Sequence, residues 1–388
     1  MKRFIIILLS DPIFIFKFIY YNFLTLYYKV KGKRTIVYNL HHDYFFDIFE
    51  SVYKELCKSR KIIIYFSYNK KDPQLHEYLS KHIAEKFILP NTITPFINFD
   101  LFICPEVTGP DFPISFLKTK TIEIYHGSGT YNLYEKIDVL NRFDIHFAIG
   151  NQFNEFIEFA YRDKKKKPKI YNVGYPKLDV LLSDDPLSKE LSELYGLGKI
   201  PVILYAPHWN EHSSIHRFGE SLIEELAEMD IKILIKPHNY LFVKYEEDNW
   251  YERLKKLEKE HKNIVFVSRS NTQELYPLAD IMITDTGTTA ALEFSILKKP
   301  LFIYCVEKWF ENNNHVDVER ELCRTSFCYH NLDELKKEIE NILNKSSSMK
   351  EKLTIQRRNQ EKLIENFLYH PGNATGEAVK AILKESGI

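Results

Sequence analysis

Four short segments of the chain carry groups that can do chemistry, and each follows an apolar run of strand length. They combine imidazole, ammonium or hydroxyl side chains with glycine or proline, and they span residues 125–129, 206–210, 236–238 and 284–289. Imidazole is the side chain best suited to accept a proton near neutral pH. Lysine and imidazole together can bind a phosphate group. The sequence therefore indicates general-base chemistry beside an anion-binding site.

The segment with the most specific pattern lies between a predicted strand that ends at Thr284 and a predicted helix. Amides and the positive dipole end at the start of a helix bind anions, and threonine hydroxyls add donors. A diphosphate fits such a site best, and an ordinary capped helix is the alternative. No glycine-rich dinucleotide motif and no Walker A lysine accompany it, which argues against dinucleotide and ATPase sites. The predicted phosphate-binding residues here are Thr284, Asp285, Thr286, Gly287, Thr288 and Thr289.

The other three segments supply the predicted base and further contacts. His126 follows a predicted strand over Thr121–Tyr125 and enters a glycine-rich loop. We predict that it is the general base, with a structural turn as the alternative. Lys236 and His238 follow another predicted strand and are expected to bind the donor's phosphates. Residues predicted to line the cleft are Gly127, Ser128, Pro207, His208 and Trp209.

No metal site and no cofactor are predicted. His208, His212 and His216 have the spacing of a helical metal face, but Pro207 and the serines that follow disfavour a helix there. The five cysteines are odd in number and form no CxxC pair. That pattern is more typical of reduced thiols in a cytosolic protein than of disulfides or a zinc ribbon.

Short apolar runs alternate with amphipathic ones along most of the chain. One series of predicted strands begins at Thr35–Leu40, and a second begins at Val202–Ala206 after a turn-rich stretch. Continuous apolar strands separated by helices favour parallel sheets covered on both faces. We predict an α/β protein with two doubly wound, Rossmann-like domains, at 35–195 and 196–388, the second including terminal helices that pack back. Ligands would bind at the carboxyl ends of the strands, in a cleft between the domains.

Residues 1–34 form a separate apolar and basic segment. Seven basic residues and one acid within residues 1–40 give a local net charge of +6. Asp11 and Lys17 interrupt the apolar stretch, at a cost of roughly 3 kcal/mol each near a bilayer centre, so a membrane span is disfavoured. Aromatic residues flanked by lysines instead favour the interface of an anionic leaflet. A buried first helix of the domain is the alternative.

The composition excludes several classes of protein and partner. The 53 basic and 53 acidic residues give a formal net charge of zero, so no global field attracts nucleic acid and none is predicted as a partner. Hydrophobic residues at 45% and charged residues at 27% are ordinary for a globular chain. A disordered chain, a fibre and a disulfide-stapled miniprotein are therefore excluded.

The order of the motifs resembles the CDP-glycerol glycerophosphotransferase family, which includes the teichoic-acid primases and polymerases of the GT-B architecture. The matching motifs are His126-Gly127, Val173–Asp179, Tyr205–Trp209, Ile235–His238, Glu274–Tyr304 and Phe367–Leu383. The resemblance implies two domains that face a central cleft, with His126 as the catalytic base. It also implies that the 284–289 loop and His238 contact the donor's phosphates.

This resemblance implies transfer of glycerol phosphate, or a related polyol phosphate, to a hydroxyl of a lipid-linked acceptor. The implied partners are a nucleotide-diphosphate donor, with CDP-glycerol favoured, a polyprenyl-diphosphate-linked glycan acceptor and an anionic membrane surface. The implied place is the cytoplasmic face of the cell membrane, where a peripheral enzyme would make a teichoic-acid-like or capsule polymer. The alternatives are a UDP-sugar transferase, an enzyme like UDP-N-acetylglucosamine 2-epimerase, and a non-catalytic GT-B scaffold. Residues 285–287 resemble the Asp-x-Gly form found in those epimerases and their relatives.

Overall fold

Each of the two units of the chain is built around one parallel β-sheet. The structure is a computed structural model that describes residues 12–42, 44–69, 72–105, 118–183, 187–268, 272–313 and 315–388. The first unit takes Met1–His126, Leu133–Lys177 and Asn373–Ile388, and the second takes Gly127–Asn132 and Leu178–Gly372. The chain thus changes unit between residues 177 and 178, and the domain boundaries near residues 34 and 195 stay predictions.

The first unit has seven described strands. They are β1 (Arg34–Asn39), β2 (Ile62–Tyr68), β3 (Ile88–Pro90), β4 (Leu101–Cys104), β5 (Lys120–Glu123), β6 (Ile145–Ala148) and β7 (Lys169–Asn172). All pair in parallel, in the order β3-β2-β1-β4-β5-β6-β7. The central strands β1 and β4 are almost completely buried, which explains why they appear in the sequence as continuous apolar runs. The helices of this unit are α1 (Pro12–Val30), α2 (Tyr44–Leu56), α3 (Pro73–His82), α4 (Ile137–Leu140), α5 (Asn151–Ala160) and a C-terminal helix described below.

The second unit repeats the same plan with six described strands. They are β8 (Val202–Ala206), β9 (Lys232–Ile235), β10 (Ile264–Phe266), β11 (Ile281–Asp285), β12 (Leu301–Tyr304) and β13 (Phe327–Tyr329). All pair in parallel, in the order β10-β9-β8-β11-β12-β13. Its helices are α6 (Leu187–Leu194), α7 (Ser214–Phe218), α8 (Glu220–Ala227), α9 (Tyr240–Lys244), α10 (Trp250–Glu260), α11 (Thr289–Ser295), α12 (Glu307–Asn312), α13 (Asp317–Thr325), α14 (Leu332–Leu343) and α15 (Ser347–Phe367).

The strand order identifies where each sheet can bind a ligand. The direction in which strands are added reverses between β1 and β4 in the first sheet and between β8 and β11 in the second. In open parallel sheets, ligands bind beyond the carboxyl ends of the strands at this switch point. The segments that follow β8 and β11 include two of those singled out from the sequence. The predicted pair of doubly wound α/β domains is confirmed.

The N-terminal helix α1 has two different faces. Phe14 is buried in the core cluster of the first unit, with Phe18 and Tyr21 packed against it. Asn22 fixes the helix further, because its amide donates to Phe96 O at 3.2 Å and its Oδ1 accepts from Asn98 N at 3.0 Å. The opposite face carries apolar side chains that are 46–76% exposed: Ile13, Phe16, Ile19, Tyr20, Phe23, Leu26, Tyr27 and Val30.

The buried face agrees with the alternative that α1 is a first helix of the domain. Association of the exposed face with a membrane surface stays a prediction. Asp11 and the residues before it lie outside the described residues, so the predicted segment 1–34 is seen only from residue 12. Within the described part of the chain, no helix is long and apolar enough to cross a membrane.

The last helix, α16 (Ala374–Ser386), belongs to the first unit. Its Glu385 carboxylate accepts hydrogen bonds from Lys120 Nζ at 3.0 Å, from Lys169 Nζ and from Tyr171 Oη, both at 2.5 Å. Arg34 Nε donates to Ser386 O at 2.7 Å. These contacts tie the C-terminus to strands β1, β5 and β7.

The prediction that all the cysteines are reduced thiols is wrong for Cys305 and Cys328, which form a disulfide. The two residues are 23 positions apart, so no short motif announces the pair. They meet because β12 and β13 are parallel neighbours, with Ile303 opposite Cys328. Cys57, Cys104 and Cys323 are free cysteines.

Candidate active site

A buried lysine follows β9 in the second unit. Lys236 is only 4% exposed, and burial lowers the pKa of its ammonium group to about 8. Its Nζ has two long contacts, to Pro237 O at 3.3 Å and to Asn239 Oδ1 at 3.4 Å. No carboxylate forms an ion pair with it within the described ranges of the chain. Since a buried charge is costly unless it is paired, this position favours the binding of an anion.

Two histidines and two aromatic rings lie together beyond β8 and β9. The rings of His208 and His238 are stacked at 6.3 Å, and His208 stacks on Trp209 at 5.4 Å. Trp209 and Tyr240 meet edge to face at 5.7 Å. The side chain of His238 is exposed, whereas that of His208 is buried. The loops after two neighbouring strands thus form one cluster beside the lysine segment.

The hydrogen bonds fix the tautomers of both histidines. His208 Nδ1 accepts from Asn210 N at 3.0 Å, and His238 Nδ1 accepts from Tyr240 N at 3.1 Å. Burial, and then the neighbouring His238, lower the pKa of His208 to about 3. Because Nδ1 of each ring accepts a hydrogen bond, each ring carries a proton on Nε2, where it can act as a donor. Such donors suit phosphate oxygens.

Asp285 accepts hydrogen bonds from the backbone of the segment that follows β8. One carboxylate oxygen accepts from His208 N at 2.7 Å and the other from Ser214 N at 2.9 Å. Burial raises the pKa of this carboxyl to about 6, and the bonds from Ser214 and His208 oppose that shift. Asp285 thus positions His208 and the start of α7. The sequence placed Asp285 among the phosphate-binding residues, and that role stays a prediction.

The three threonines before α11 differ in what their hydroxyls contact. Thr284 Oγ1 donates to Ala206 O at 2.7 Å, and Thr286 Oγ1 donates to Tyr304 O at 3.0 Å, so both connect β11 to its neighbouring strands. Thr288 Oγ1 lies 3.0 Å from Thr284 Oγ1 and, like Thr289, is partly exposed. Because α11 has only seven residues, its dipole is a weak basis for an anion site. Lys236 and the two imidazoles are the stronger one.

Gly287 allows the loop to fold over a tryptophan. Its φ of +88° lies in the left-handed region that glycine adopts without strain. A Cβ there would lie 2.8 Å from Trp309 Cζ2 and 2.9 Å from Cε2, too close for either ring atom. Trp309 is itself buried.

We expect Gly287→Ala to destabilise the second unit and to weaken donor binding together. The left-handed φ costs an L residue about 1–2 kcal/mol, and displacing the tryptophan ring adds roughly 1–3 kcal/mol. Gly198→Ala is the control, because Gly198 has φ +63° but nothing within 4 Å of a Cβ. Urea unfolding should show a clearly larger loss for Gly287→Ala. Equal losses of unfolding free energy in the two variants would mean that the contact with Trp309 does not contribute to stability.

The glycine after the candidate base also allows a close approach. Gly127–Asn132 belongs to the second unit, and within that unit a Cβ at Gly127 would lie 3.3 Å from Thr289 Cγ2. A larger side chain at this position would press on the loop that begins α11. Ser128, also predicted to line the site, is buried.

His126 follows β5 in the first unit, three residues beyond its end. Its backbone carbonyl accepts a hydrogen bond from Tyr175 Oη at 2.7 Å, and its ring lies 5.5 Å from that of Phe45. Tyr175 comes from the segment Val173–Asp179 that the sequence comparison singled out. The candidate base is thus held both by its backbone and by its ring.

The residue before the candidate base is strained, and a buried network holds it. Tyr125 has φ +41°, an uncommon value for a residue with a side chain. Its hydroxyl lies 2.7 Å from His146 Nδ1, and His146 Nε2 lies 2.9 Å from Tyr161 Oη. Burial lowers the pKa of His146 to about 3, so the ring is neutral and Nδ1 accepts from Tyr125. Strain persists where surrounding structure over-determines it, commonly at functional sites.

Two of these positioning residues, Tyr125 and His146, were not identified from the sequence. A histidine inside the apolar strand Ile145–Ala148 was the available signal, because a buried imidazole needs specific hydrogen-bond partners. A further histidine, His41, follows β1 at the switch point of the first sheet, with its Nε2 2.9 Å from Asn39 Nδ2. His42 and Asp43 come directly after His41 in the sequence, and Asp43 lies outside the described residues.

The predicted site residues divide between the units. The second unit holds most of them at the carboxyl ends of β8, β9 and β11: Pro207, His208, Trp209, Lys236, His238 and Thr284–Thr289. Gly127 and Ser128 also belong to the second unit, although they follow β5 in the chain. His126 ends the first part of the first unit. Within the second unit the structure brings the imidazoles and the tryptophan together. The catalytic and binding roles themselves stay predictions.

Known proteins share this architecture. The structure of the wall teichoic acid polymerase TagF is similar over 93% of this chain and 92% of its own, with 17% identity and a TM-score of 0.68. That of UDP-GlcNAc 2-epimerase from Neisseria meningitidis, bound to UDP-GlcNAc, is similar over 90% of this chain and all of its own, with 14% identity and a TM-score of 0.60. No curated protein sequence matches the chain.

A family model identifies the chain at the level of sequence. The model described as CDP-Glycerol:Poly(glycerophosphate) glycerophosphotransferase matches residues 128–383, which is most of the chain. The match begins two residues after His126 and includes both Lys236 and the loop before α11. It confirms the family resemblance inferred from the motifs. The chain is an enzyme that belongs to the CDP-glycerol:poly(glycerophosphate) glycerophosphotransferase family.

Proposed function

We propose that this enzyme transfers glycerol phosphate from CDP-glycerol to a hydroxyl group of a lipid-linked acceptor, in the synthesis of a teichoic-acid-like polymer of the cell surface. The family match supports the reaction type. A TagF structure obtained after a CDPG soak shows which ligand was offered to that similar protein. The observation in this chain that supports the proposal most is that Lys236 is buried and forms no ion pair with a carboxylate of the described residues.

The environment of Lys236 is matched to a doubly charged phosphate group. Among the described residues, the hydrogen-bond partners of the ammonium group are one carbonyl and one amide oxygen, at 3.3–3.4 Å. An anion would supply the missing countercharge, and hydrogen bonds to charged groups are worth about 1.5–3 kcal/mol each. The Nε2–H groups of His208 and His238 add two hydrogen-bond donors at the same carboxyl edge of the sheet. A diphosphate can use all three.

The reaction follows from these donors and one base. The acceptor hydroxyl oxygen attacks the phosphorus of the glycerol phosphate group, and His126 takes the hydroxyl proton. The bond between that phosphorus and the bridging oxygen breaks, so CMP departs with the negative charge that develops on its phosphate. Lys236 and His238 stabilise this charge, which grows toward the transition state.

A panel of nucleotides tests the proposed donor. A ligand that binds only the folded state raises its stability by RT ln(1 + [L]/Kd). We expect CDP-glycerol and CDP to raise the melting temperature, and UDP-N-acetylglucosamine and GDP-mannose to raise it much less at equal concentration. A larger shift with the UDP-sugar would contradict the proposed donor and favour the epimerase-like alternative.

We also propose that the exposed face of α1 holds the enzyme on the cytoplasmic surface of the membrane. The apolar side chains of this face recur every three or four residues, so they form one stripe along the helix. Lys17, Lys29 and Lys31 are exposed on or just after the same helix. An apolar stripe with flanking lysines suits the interface of an anionic bilayer, whose acceptor lipid would then lie close by.

The stripe gives a direct prediction for lipid binding. Phe16→Glu combined with Phe23→Glu should remove most of the sedimentation of the protein with vesicles of equal parts phosphatidylglycerol and phosphatidylcholine. Both side chains are about two-thirds exposed, so the fold should persist. Leu194→Glu is the matched control, since Leu194 is 70% exposed but lies on α6. Binding by the wild type should weaken as salt rises. Unchanged sedimentation of the double variant would remove α1 from the membrane contact.

A further inference from the structure

Three of the five cysteines converge in the second unit. The Sγ atoms of Cys305, Cys323 and Cys328 all lie within 4.8 Å of one another. They come from three different elements: Cys305 follows β12, Cys323 lies in α13 and Cys328 lies in β13. A disulfide between Cys305 and Cys328 requires only two of them. The third thiol therefore calls for its own explanation.

We propose that the reduced chain binds a soft, thiophilic metal ion such as Zn²⁺ through Cys305, Cys323 and Cys328. Zinc–thiolate bonds of about 2.3 Å place tetrahedral sulfur ligands roughly 3.8 Å apart. All three sulfur atoms lie within 4.8 Å of one another, and reduction frees the bonded Cys305 and Cys328 sulfurs to move apart to this separation. Thiolate ligands select ions of this class over magnesium or calcium. The fourth position is left to water.

The surroundings of the three sulfurs also suit a cation. Glu319 lies one helical turn before Cys323 on α13 and is only 6% exposed. A cation bound by the three sulfurs would therefore lie near a buried carboxyl group that can offset its charge. Cys328 Sγ also lies 3.1 Å from Cys323 O, and its thiol can donate to that carbonyl once the disulfide is reduced.

We assign the metal a structural role, because its ligands join the end of β12 to α13 and β13. Cys323 Sγ is 3.7 Å from Thr286 Oγ1, whose hydroxyl donates to Tyr304 O and accepts from Val306 N at 3.3 Å. A metal there would tie β12, α13 and β13 to the base of the loop. The proposal does not depend on which donor the enzyme uses.

Oxidation and metal binding exclude each other at this site. The disulfide uses two of the three ligands, so the metal binds only after reduction. A phosphine reductant supplies the two electrons and becomes a phosphine oxide with oxygen from water, while each sulfur gains a proton. Zinc then displaces the thiol protons as it binds.

The experiment uses the full chain reduced with a phosphine, desalted under nitrogen and given zinc sulfate alone. After removal of loose metal, we expect about one zinc ion per chain for the wild type and for Cys57→Ser, whose cysteine is exposed and separate. Cys323→Ser and Cys305→Ser should each weaken zinc binding at least tenfold. Cobalt substituted for zinc should give a thiolate charge-transfer band that both variants lose.

Zinc bound equally by wild type and Cys323→Ser would overturn the proposal, as would no zinc retained by a chain with five titratable thiols. A disulfide that resists the reductant in the native protein would contradict it equally, because the site would then never form. Each readout is a metal count or a spectrum rather than transfer activity. Failure here is therefore distinct from failure of the proposed function.

Discussion

Replacement of His126 by alanine is expected to lower turnover by about 10²–10⁴-fold, the usual cost of removing a general base. Donor affinity should change only a few-fold, because Lys236 and His238, the proposed phosphate contacts, belong to the other unit. The backbone carbonyl of His126 keeps its hydrogen bond from Tyr175, so the loop should keep its shape. Initial rates at saturating donor and acceptor, with calorimetric donor binding, measure the two effects separately.

His330→Ala is the matched control for the His126 experiment, because it removes an exposed imidazole that is not among the proposed site residues. It should leave turnover near the wild-type value. His238→Ala should behave differently from both, with lower donor affinity as well as lower turnover. Near-normal turnover in His126→Ala would rule out the proposed base and direct attention to His41, His42 and Asp43.

Replacement of Lys236 by methionine should weaken donor binding by about 10–100-fold. Loss of a charge-assisted hydrogen bond to a phosphate costs about 1.5–3 kcal/mol, and each 1.4 kcal/mol is a factor of ten. Because the pKa of Lys236 is about 8, wild-type donor affinity should also fall as the pH rises above 8. The variant should lack this pH dependence. Calorimetric titrations with CDP-glycerol at pH 7 and pH 9 measure both effects.

The same substitution should stabilise the protein without its donor. The folded-state pKa of Lys236 is lowered from 10.5 to about 8, so below pH 8 the folded state carries the full cost of a buried ammonium group. Methionine removes that cost, and we expect a gain of about 2–3 kcal/mol at pH 7. As the pH rises from 8 toward 10.5, the wild type sheds the proton and the gain should shrink. Urea unfolding at pH 7 and pH 9 measures it.

Lys299→Met is the matched control for the buried lysine. Lys299 is also partly buried with a lowered pKa, but its Nζ donates to Pro277 O at 2.8 Å and to Ala279 O at 2.7 Å. It should therefore lose stability on substitution and keep its donor affinity. If Lys236→Met also loses stability and keeps its affinity, Lys236 is a structural lysine and the proposed anion site is wrong.

The central strands could be predicted from the sequence because burial on both faces leaves a continuous apolar run. The segment Val202–Ala206 has the predicted bounds, and β1 begins and ends one residue before the predicted Thr35–Leu40. The edge strands β7 and β13 could not be predicted, since most of their side chains are exposed or half-buried, and β3 has only three residues. Such short segments have no period to detect.

The site could be predicted only as far as strand ends reveal it. Lys236, His238 and the loop before α11 follow apolar runs, so their place at one edge of the sheet followed from the pattern. The structural role of Asp285 could not be predicted from the pattern, because its partners are the amides of His208 and Ser214, more than 70 positions earlier. The network of Tyr125 and His146 was hidden for the same reason: side chains 21 positions apart meet only in the folded chain.

The most direct test of the proposed function traces the glycerol group of the donor into the product. The full-length enzyme is incubated with CDP-glycerol labelled in the glycerol carbons and with a prenyl-diphosphate-linked glycan, and both products are separated. We predict that the lipid-linked product carries the label and that CMP is released in equal amount. Both products should be lost in His126→Ala. Release of UDP from UDP-N-acetylglucosamine by the same preparation, with no CMP from CDP-glycerol, would contradict the proposed function.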